Sequence, residues 1–374
     1  MRVMIAGGGT GGHLFPGLAV AEEFKNRDAA TEVIFVGTES GIEARIVPRE
    51  GYPIRFLRAE GIVGTTLTRK IRAIFKSFLS MVDSYRIIKT IRPDIVIGVG
   101  GYASGATTLL AYFMSIPTLV LEQNSVPGLT NKILGKFVDT VCVTYQESIS
   151  FFPKGKTFLT GNPVRLHLLK GDVETGYRLF SLEKGLFTVF AFGGSLGARS
   201  INRAMLDALQ YLQDLKEKIQ FLHQTGQKEY EQIRDTYRQS GFKGTITPFI
   251  YQMGEAYAVA DLVISRAGAT TLAELTALGK PAILIPYPFA AGSHQELNAL
   301  KLQGMGAAKM ILDRELRGEA LAAGIREFTR NERMRDEMQK TSRSVGRPDA
   351  CMKVVDIAMS LMKQASASGA RSVA

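Results

Sequence analysis

Twice in this chain of 374 residues, a short apolar, β-branched run ends in a cluster of glycines and opens into a helical pattern. The first instance is Val3-Met4-Ile5-Ala6, which leads into Gly7-Gly8-Gly9-Thr10-Gly11-Gly12-His13; the second is Phe187 to Phe192, which leads into Gly193-Gly194-Ser195-Leu196-Gly197. A parallel strand buried on both faces reads as a continuous apolar run, and glycine permits the sharp exit into the helix that covers it. The repeated unit predicts an α/β chain with two Rossmann-like, doubly wound parallel-sheet domains facing across a cleft. The length agrees, because a single hydrophobic core rarely grows beyond about 250–300 residues.

Further strands are expected at Glu32 to Val36, Asp94 to Gly98, Pro117 to Leu121, Thr140 to Thr144, Ile219 to His223, Gly244 to Phe249, Leu262 to Ser265 and Ala282 to Ile285. These alternate with helical patterns, as a sheet covered on both faces requires. Turn residues at Thr160-Gly161-Asn162-Pro163 mark a boundary, and a polar, poorly periodic stretch runs on to about Lys184. The expected organisation is 1–163, 164–340, and a C-terminal helix in 341–374 that packs back on the first domain and ends in a frayed Ser/Ala-rich tail.

A net charge of +11 calls for an anionic partner. Cys142 and Cys351 are far apart and form no CxxC pattern, so they read as reduced thiols of a cytosolic protein, with no disulfide and no zinc site. The first apolar run is too short for a signal peptide, and the stretch from Leu109 to Leu121 is broken by Pro117 and is too short to cross a membrane. A soluble or peripheral protein is expected.

Glycine-rich turns also follow the expected strands at Gly98-Val99-Gly100-Gly101 and at Arg266-Ala267-Gly268-Ala269-Thr270-Thr271. Such turns are either tight strand-to-helix connections or phosphate cradles, in which backbone N–H groups and a helix N-terminus face an anion. Gly7, Gly9 and Gly12 satisfy GxGxxG, so a nicotinamide oxidoreductase is weighed. That reading lacks the acid expected at the end of the second strand, where Phe35-Val36 meets Gly37-Thr38 and Glu39 comes two residues late. His13 is either a packed turn residue or a base placed at the mouth of a phosphate-lined cleft, and the position favours the base. Thr271-Leu272-Ala273-Glu274 reads as a capping box, and Glu274 also as a carboxylate for two ribose hydroxyls. Gln295 in Gly292-Ser293-His294-Gln295-Glu296-Leu297-Asn298 suits sugar hydroxyls, because an amide both donates and accepts.

From Arg69 to Arg92 the chain carries Arg69, Lys70, Arg72, Lys76, Arg86, Lys89 and Arg92 against the single acid Asp83. Ile71, Ile74, Phe75, Phe78, Leu79 and Val82 make an apolar stripe at helical spacing. The stripe either faces the core or lies on an anionic lipid surface, where each cation near the surface is worth roughly 1 kcal/mol. The membrane reading is preferred, with a face of Arg69, Lys70, Ile71, Arg72, Ile74, Phe75, Lys76 and Phe78. Nucleic acid is not, since no binding module accompanies the charge.

Read together, the motifs resemble the peptidoglycan-synthesis glycosyltransferases that add N-acetylglucosamine to undecaprenyl-diphospho-muramoylpentapeptide. The stretches that carry the likeness are Gly7 to His13, Gly98 to Gly105, Glu122-Gln123-Asn124 with Gly128 to Lys132, Thr160 to Arg165, Gly193-Gly194-Ser195, Arg266 to Glu274, and His294 to Ala299. The resemblance implies the GT-B fold, with a C-terminal domain that holds the UDP-sugar and an N-terminal domain that receives the lipid acceptor. It implies that Thr10, Gly11, Gly12, Asn124, Arg165, Ser195, Ile250, Ala269, Thr270, Thr271, Glu274 and Gln295 contact UDP-N-acetylglucosamine, with Ile250 at the uracil, Glu274 at the ribose and Ser195 at the diphosphate. Tyr102, Glu122 and Asn131 would serve the acceptor or support catalysis, and Asn202, Arg266 and His294 would line the cleft. Leu121, Leu196, Ala106 and Ser293 depart from the family pattern, where histidine, glutamine, proline and aspartate are frequent; the two leucines cannot form hydrogen bonds.

The expected reaction is an inverting displacement in which the 4-hydroxyl of the lipid-linked N-acetylmuramoyl residue attacks C1 of N-acetylglucosamine and UDP departs, with His13 as the base. No Asp-x-Asp pair occurs, so no cofactor and no protein-bound metal are expected. The implied location is the cytoplasmic face of the bacterial inner membrane, with other cell-wall synthesis proteins as candidate partners. The rivals are a GT-B transferase for a different lipid acceptor, the oxidoreductase, and a non-catalytic lipid- or nucleotide-binding protein.

Overall fold

The computed structural model describes residues 1–58 and 67–367, the side chains of residues 67–78, Tyr102 and Ala291 excepted. The chain divides into two units, Met1–Arg165 with the C-terminal stretch from Pro348, and Leu166–Arg347.

The first unit runs β1 (Arg2–Gly7), α1 (Gly11–Arg27), β2 (Glu32–Gly37), α2 (Glu43–Arg49), β3 (Ile54–Phe56), α3 (Leu67–Ile91), β4 (Ile95–Gly100), α4 (Tyr102–Phe113), β5 (Thr118–Glu122), α5 (Leu129–Phe137), β6 (Thr140–Val143) and β7 (Thr157–Leu159). Its seven strands are parallel, in the order β3-β2-β1-β4-β5-β6-β7. The central strands β4, β5 and β6 are buried along their whole length, as their continuous apolar runs require. Chain order reverses between β1 and β4, which makes the ends of these strands the switch point where ligands of open α/β sheets bind.

The second unit runs α6 (Val173–Leu179), β8 (Phe187–Phe192), α7 (Arg199–Leu209), β9 (Ile219–Gln224), α8 (Tyr230–Ser240), β10 (Lys243–Thr247), α9 (Met253–Val259), β11 (Leu262–Ser265), α10 (Ala269–Leu278), β12 (Ala282–Leu284), α11 (His294–Gly304), β13 (Lys309–Met310), α12 (Gly318–Arg330) and α13 (Glu332–Val345). The parallel order is β10-β9-β8-β11-β12-β13, with its switch point between β8 and β11. Apolar clusters cover both faces of this sheet, one around Phe221, Met205 and Phe328 and the other around Phe190, Tyr257 and Leu272.

The last helix, α14 (Ala350–Ala367), lies against α1. Arg27 ties the pair, donating to Glu23 (2.7 Å), Asp356 (2.5 Å) and the Met352 carbonyl (3.1 Å). Cys351 packs its thiol on the Val164 carbonyl, and both cysteines are buried and free.

Sequence reasoning misses β3, β7 and β13, which are two or three residues long at or near the sheet edges. An apolar run that short has no period to read. The stretch before Lys184, expected to be irregular, contains a 3₁₀ turn at Leu166–Lys170 and α6, whose N-cap Asp172 accepts the Thr175 N–H at 2.7 Å. Gly98, expected where the strand ends and the glycine turn begins, lies inside β4, which runs on to Gly100. A Cβ on Gly98 would stand 2.6 Å from Ser104 Oγ and 2.7 Å from Thr108 Oγ1, so its role is to let α4 approach the strand.

Backbone of the expected membrane face, Arg69 to Phe78, lies in α3, whereas the side chains of Arg69, Lys70, Ile71, Arg72, Ile74, Phe75, Lys76 and Phe78 fall outside the described residues. Among the described residues no helix is long and apolar enough to cross a membrane.

Candidate active site

In the first unit, the exit from β1 is built on three consecutive glycines with positive φ, Gly7 (144°), Gly8 (146°) and Gly9 (84°). The β1 and β4 exits touch, since Gly8 N–H donates to the Gly100 carbonyl at 3.3 Å and a Cβ on Gly101 would stand 2.7 Å from the Gly8 carbonyl. Gly7 and Gly101 are therefore fixed by close approach of backbone to backbone.

Glu43, from the start of α2, holds this loop from beneath. It is 1% exposed; its Oε2 accepts Gly9 N–H at 2.7 Å, and its Oε1 accepts the Thr38 N–H and hydroxyl, both at 2.9 Å. A Cβ on Gly8, Gly37 or Gly41 would run into this carboxylate. The acid absent from the end of β2 thus arrives six residues after Gly37 and is spent on the loop itself. Thr10 and Gly12 are exposed, and α1 begins with neither a capping side chain nor an acid in its first turn. Its dipole and first N–H groups favour an anion there.

His13, half-buried in the first turn of α1, has Nδ1 3.3 Å from Gln123 Oε1. Gln123 Nε2 donates to the Val99 carbonyl at 3.0 Å, which orients the amide so that its oxygen faces the ring. By that network the proton sits on Nδ1, and Nε2 carries the basic lone pair. A Cβ on Gly100 would stand 2.5 Å from Nδ1, so glycine there makes room for the imidazole.

Glu122, at the end of β5, is buried and fully engaged. Its Oε1 accepts from Asn124 N–H (2.8 Å) and Nδ2 (3.3 Å), and its Oε2 accepts from Asn131 Nδ2 (2.9 Å) and Gly128 N–H (3.3 Å). Asn131 also donates to the Leu121 carbonyl at 3.0 Å. These two residues staple the loop from residue 122 to 131 and orient Asn124. Arg165 is buried with its guanidinium 4.2 Å from the centre of the Phe15 ring, a cation–π contact on α1. The Tyr102 side chain falls outside the described residues. Leu121 is buried within β5 and Ala106 lies within α4.

In the second unit the β8 exit turns at Gly194 (φ 90°) and Gly197 (φ 77°), with Ser195 half-buried and Leu196 82% exposed. Helix α7 begins only at Arg199. Gln224 braces the turn: its Nε2 donates to the Gly194 carbonyl at 2.9 Å and its Oε1 accepts Ile250 N–H at 2.8 Å. The Ile250 side chain is buried in the core.

Asn202 was expected to line a cleft and is instead turned inward. It donates to the Thr225 carbonyl (2.9 Å) and to Glu229 (2.8 Å), and its Oδ1 meets His223 Nε2 at 3.1 Å. Thr225 and Gly226 abut Leu196 and Gly197, so Asn202 buttresses the glycine turn. Burial pushes the His223 imidazole down to about 3, and it is neutral at physiological pH. Arg266 is likewise a brace, donating to Asp313 (2.5 Å), to Ser200 Oγ (2.8 Å) and to the Ile285 and Pro286 carbonyls (3.2 Å each).

At the β11 exit, the N-cap of α10 is Gly268 and not Thr271, which is the third residue inside the helix. The capping-box reading of Thr271 and Glu274 is thus incorrect: Gly268 takes the extended cap conformation, and Glu274 lies too deep in the helix to reach back. Without a capping side chain or first-turn acid, the start of α10 at Ala269, Thr270 and Thr271 is suited to a phosphate. Glu274 is buried, and its Oε2 accepts the hydroxyl proton of Tyr257 at 2.8 Å. Gln295 and His294 are half-buried at the start of α11, where Gln295 Oε1 accepts Tyr287 N–H at 3.0 Å and Ser293 holds φ 51°.

Sequence reasoning assigned no role to Glu43, Gln123, Gln224, Tyr257 or Asn298. Asn298, on α11, is 1% exposed with neither amide atom bonded among the described residues. Its place in the His294 to Ala299 motif, like that of Gln123 in Glu122-Gln123-Asn124, was the available signal; the other three are placed by long-range packing.

The comparisons agree with this architecture. Residues 3–143 match the glycosyltransferase family 28 N-terminal domain and residues 188–354 the family 28 C-terminal domain. A Thermodesulfovibrio yellowstonii relative named UDP-N-acetylglucosamine–N-acetylmuramyl-(pentapeptide) pyrophosphoryl-undecaprenol N-acetylglucosamine transferase is 50% identical over 97% of this chain and 100% of its own length. A Myxococcus xanthus relative of the same name is 46% identical over 97% of this chain and 94% of its own. The crystal structure of Acinetobacter baumannii MurG superposes with a TM-score of 0.70 at 31% identity, covering 95% and 98% of the two chains.

Proposed function

Because this chain belongs to glycosyltransferase family 28 and is 46–50% identical to the N-acetylglucosaminyltransferases named above over 97% of its length, we propose that it moves N-acetylglucosamine from UDP-N-acetylglucosamine to the 4-hydroxyl of lipid-linked N-acetylmuramoyl-pentapeptide. The fold is GT-B, and the chain is a UDP-N-acetylglucosamine-dependent hexosyltransferase.

The observation that carries the chemical step is the orientation of His13. With Nδ1–H directed to Gln123, Nε2 is the atom that takes a proton. In the proposed step the acceptor 4-oxygen forms a bond to C1, its proton passes to His13 Nε2, the C1–oxygen bond to UDP breaks, and UDP leaves with the electron pair. A single in-line displacement inverts the anomeric centre. The start of α10 and the Ser195 turn stabilise the departing diphosphate, with Arg165 as a further cation. Glu274 accepts from the ribose, the Ile250 backbone meets the uracil, and Gln295 and Asn298 bond the sugar hydroxyls. Thr10, Gly11, Gly12 and Asn124 complete the reading of the donor site. Glu122 and Asn131 act by shaping the loop that presents Asn124.

Association with an anionic membrane surface is part of the same proposal. Besides the basic residues in the sequence of α3, Phe113 (62% exposed), Phe137 and Ile133 are exposed on α4 and α5 beside Lys132 and Lys136, and Tyr112, Phe113 and Phe137 form one aromatic cluster. Exposed apolar groups rimmed by lysines suit a lipid interface.

The test is transfer of label from UDP-N-acetylglucosamine, labelled in the sugar, to the undecaprenyl muramoyl acceptor. Acceptor-dependent transfer is expected in the wild type, and His13→Ala should lower kcat by a factor of about 10²–10⁴. Full activity in His13→Ala would remove the assigned base, and no transfer to the lipid would remove the reaction.

A further inference from the structure

Tyr257 is wholly buried, on the middle of α9, with its ring set edge-on against Phe190 (5.7 Å between centroids, 72°) and Phe192 (6.1 Å, 74°) of β8. Phenylalanine would fill the same apolar space. A hydroxyl buried there costs free energy unless it is bonded, so the oxygen needs a reason. The Glu274 carboxylate is that reason: Tyr257 Oη donates to Oε2 at 2.8 Å. A phenol is the right donor for the purpose. It is rigid, held by its ring, and its hydrogen bond to a carboxylate is charge-assisted.

We propose that Tyr257 is a positioning residue for donor recognition: its hydroxyl fixes the plane of the Glu274 carboxylate so that Glu274 discriminates the ribose hydroxyls of the nucleotide-sugar. The inference rests on the reading of Glu274 as the ribose ligand. A carboxylate on a rotatable side chain sweeps many orientations, and a ribose hydroxyl is told apart from hydrogen only when the acceptor is already aimed at it. Tyr257 aims it from the apolar side, through α9, an element that the sequence motifs do not mark. Its action is through Glu274 and not on the sugar or the reacting atoms.

The experiment is a cycle between the protein hydroxyl and the substrate hydroxyls. The full-length wild type and Tyr257→Phe are compared with UDP-N-acetylglucosamine and with its 2′-deoxy and 3′-deoxyuridine analogues. In the wild type, loss of the hydroxyl that Glu274 binds should lower kcat/KM about tenfold or more, the worth of one hydrogen bond to a charged group. Tyr257→Phe should raise KM for UDP-N-acetylglucosamine several-fold with little change in kcat, while the deoxy analogue suffers little further loss. The two deletions are then coupled.

If Tyr257→Phe lowers kcat/KM by the same factor for all three donors, the residue is a core residue only and the proposal is overturned. If the wild type does not discriminate the three donors, the ribose reading of Glu274 has itself failed, a different and separable result. Should Tyr257→Phe not fold, Tyr257→Leu serves, because it also removes the hydroxyl and leaves Glu274 in place. Retained ribose discrimination in Tyr257→Leu overturns the proposal, and its selective loss supports it.

Discussion

His13 and Gln123 stand 110 positions apart in the chain, yet Nδ1 of the first lies 3.3 Å from Oε1 of the second. The amide is in turn pinned by the Val99 carbonyl at 3.0 Å, so the contact selects one tautomer of the imidazole. Replacing Gln123 by leucine should lower kcat about tenfold while leaving KM for the donor near its wild-type value. Replacing it by glutamate places a carboxylate beside the ring, which favours the imidazolium, and a base must be neutral to act. The acid limb of the pH–rate profile should therefore move to higher pH in Gln123→Glu, by about one unit or more. Unchanged profiles in both variants would detach Gln123 from the base.

Glu43 offers a test of the loop as a built object. Its carboxylate accepts three hydrogen bonds in a buried site, and Glu43→Ala strands the Gly9 and Thr38 N–H groups. The expected loss is about 2–4 kcal/mol in urea unfolding of the first transition to involve the N-terminal unit. Activity should fall further than in Glu43→Gln, which keeps an acceptor. Equal stability of Glu43→Ala and wild type would contradict the bracing role.

Asn298 is buried without a partner for either amide atom among the described residues. If its partners are the hydroxyls of the transferred sugar, Asn298→Ala lowers kcat/KM for UDP-N-acetylglucosamine about tenfold. Inhibition by UDP, which lacks the sugar, should stay as in the wild type. A parallel weakening of UDP inhibition would place Asn298 outside the sugar pocket.

His223 supplies a pH signature of stability. Burial holds it at about 3 in the folded chain, below its unfolded value near 6.5. The unfolded state therefore binds more protons across that window. The stability is fully present above pH 6.5 and is lost as pH falls toward 3, at a limit of about 1.4 kcal/mol per pH unit from this one group. Denaturant unfolding of the wild type and His223→Gln between pH 7 and 4.5 checks it, and the variant should show the shallower slope. Identical slopes would show that carboxylates alone govern acid unfolding.

Much of the second unit's site can be read in the sequence for a local reason. The strand, the glycine turn and the start of the next helix are contiguous, so the Gly193 turn and the Ala269-Thr270-Thr271 helix start reveal themselves by order and spacing. The same holds for the Gly7 loop and His13. What goes astray is also local: Thr271 looks like a cap because its spacing to Glu274 is right, but the extended conformation of Gly268 starts the helix three residues earlier.

The sequence by itself determined the two α/β sheets, nearly all their strands, and the family, because apolar periodicity and glycine turns act over a few residues. Only the tertiary structure decided which polar side chains brace the loops. Arg266 lies in a site-like motif and Asn202 is implied by the resemblance to line the cleft, yet both are turned inward to hold loops. Glu43, Gln224 and Tyr257 lie in unremarkable stretches, yet each touches a loop or a residue of the candidate site. The physical reason is burial: a buried polar group must find a partner, and in a parallel sheet that partner comes from a neighbouring strand's connection, far away in the chain.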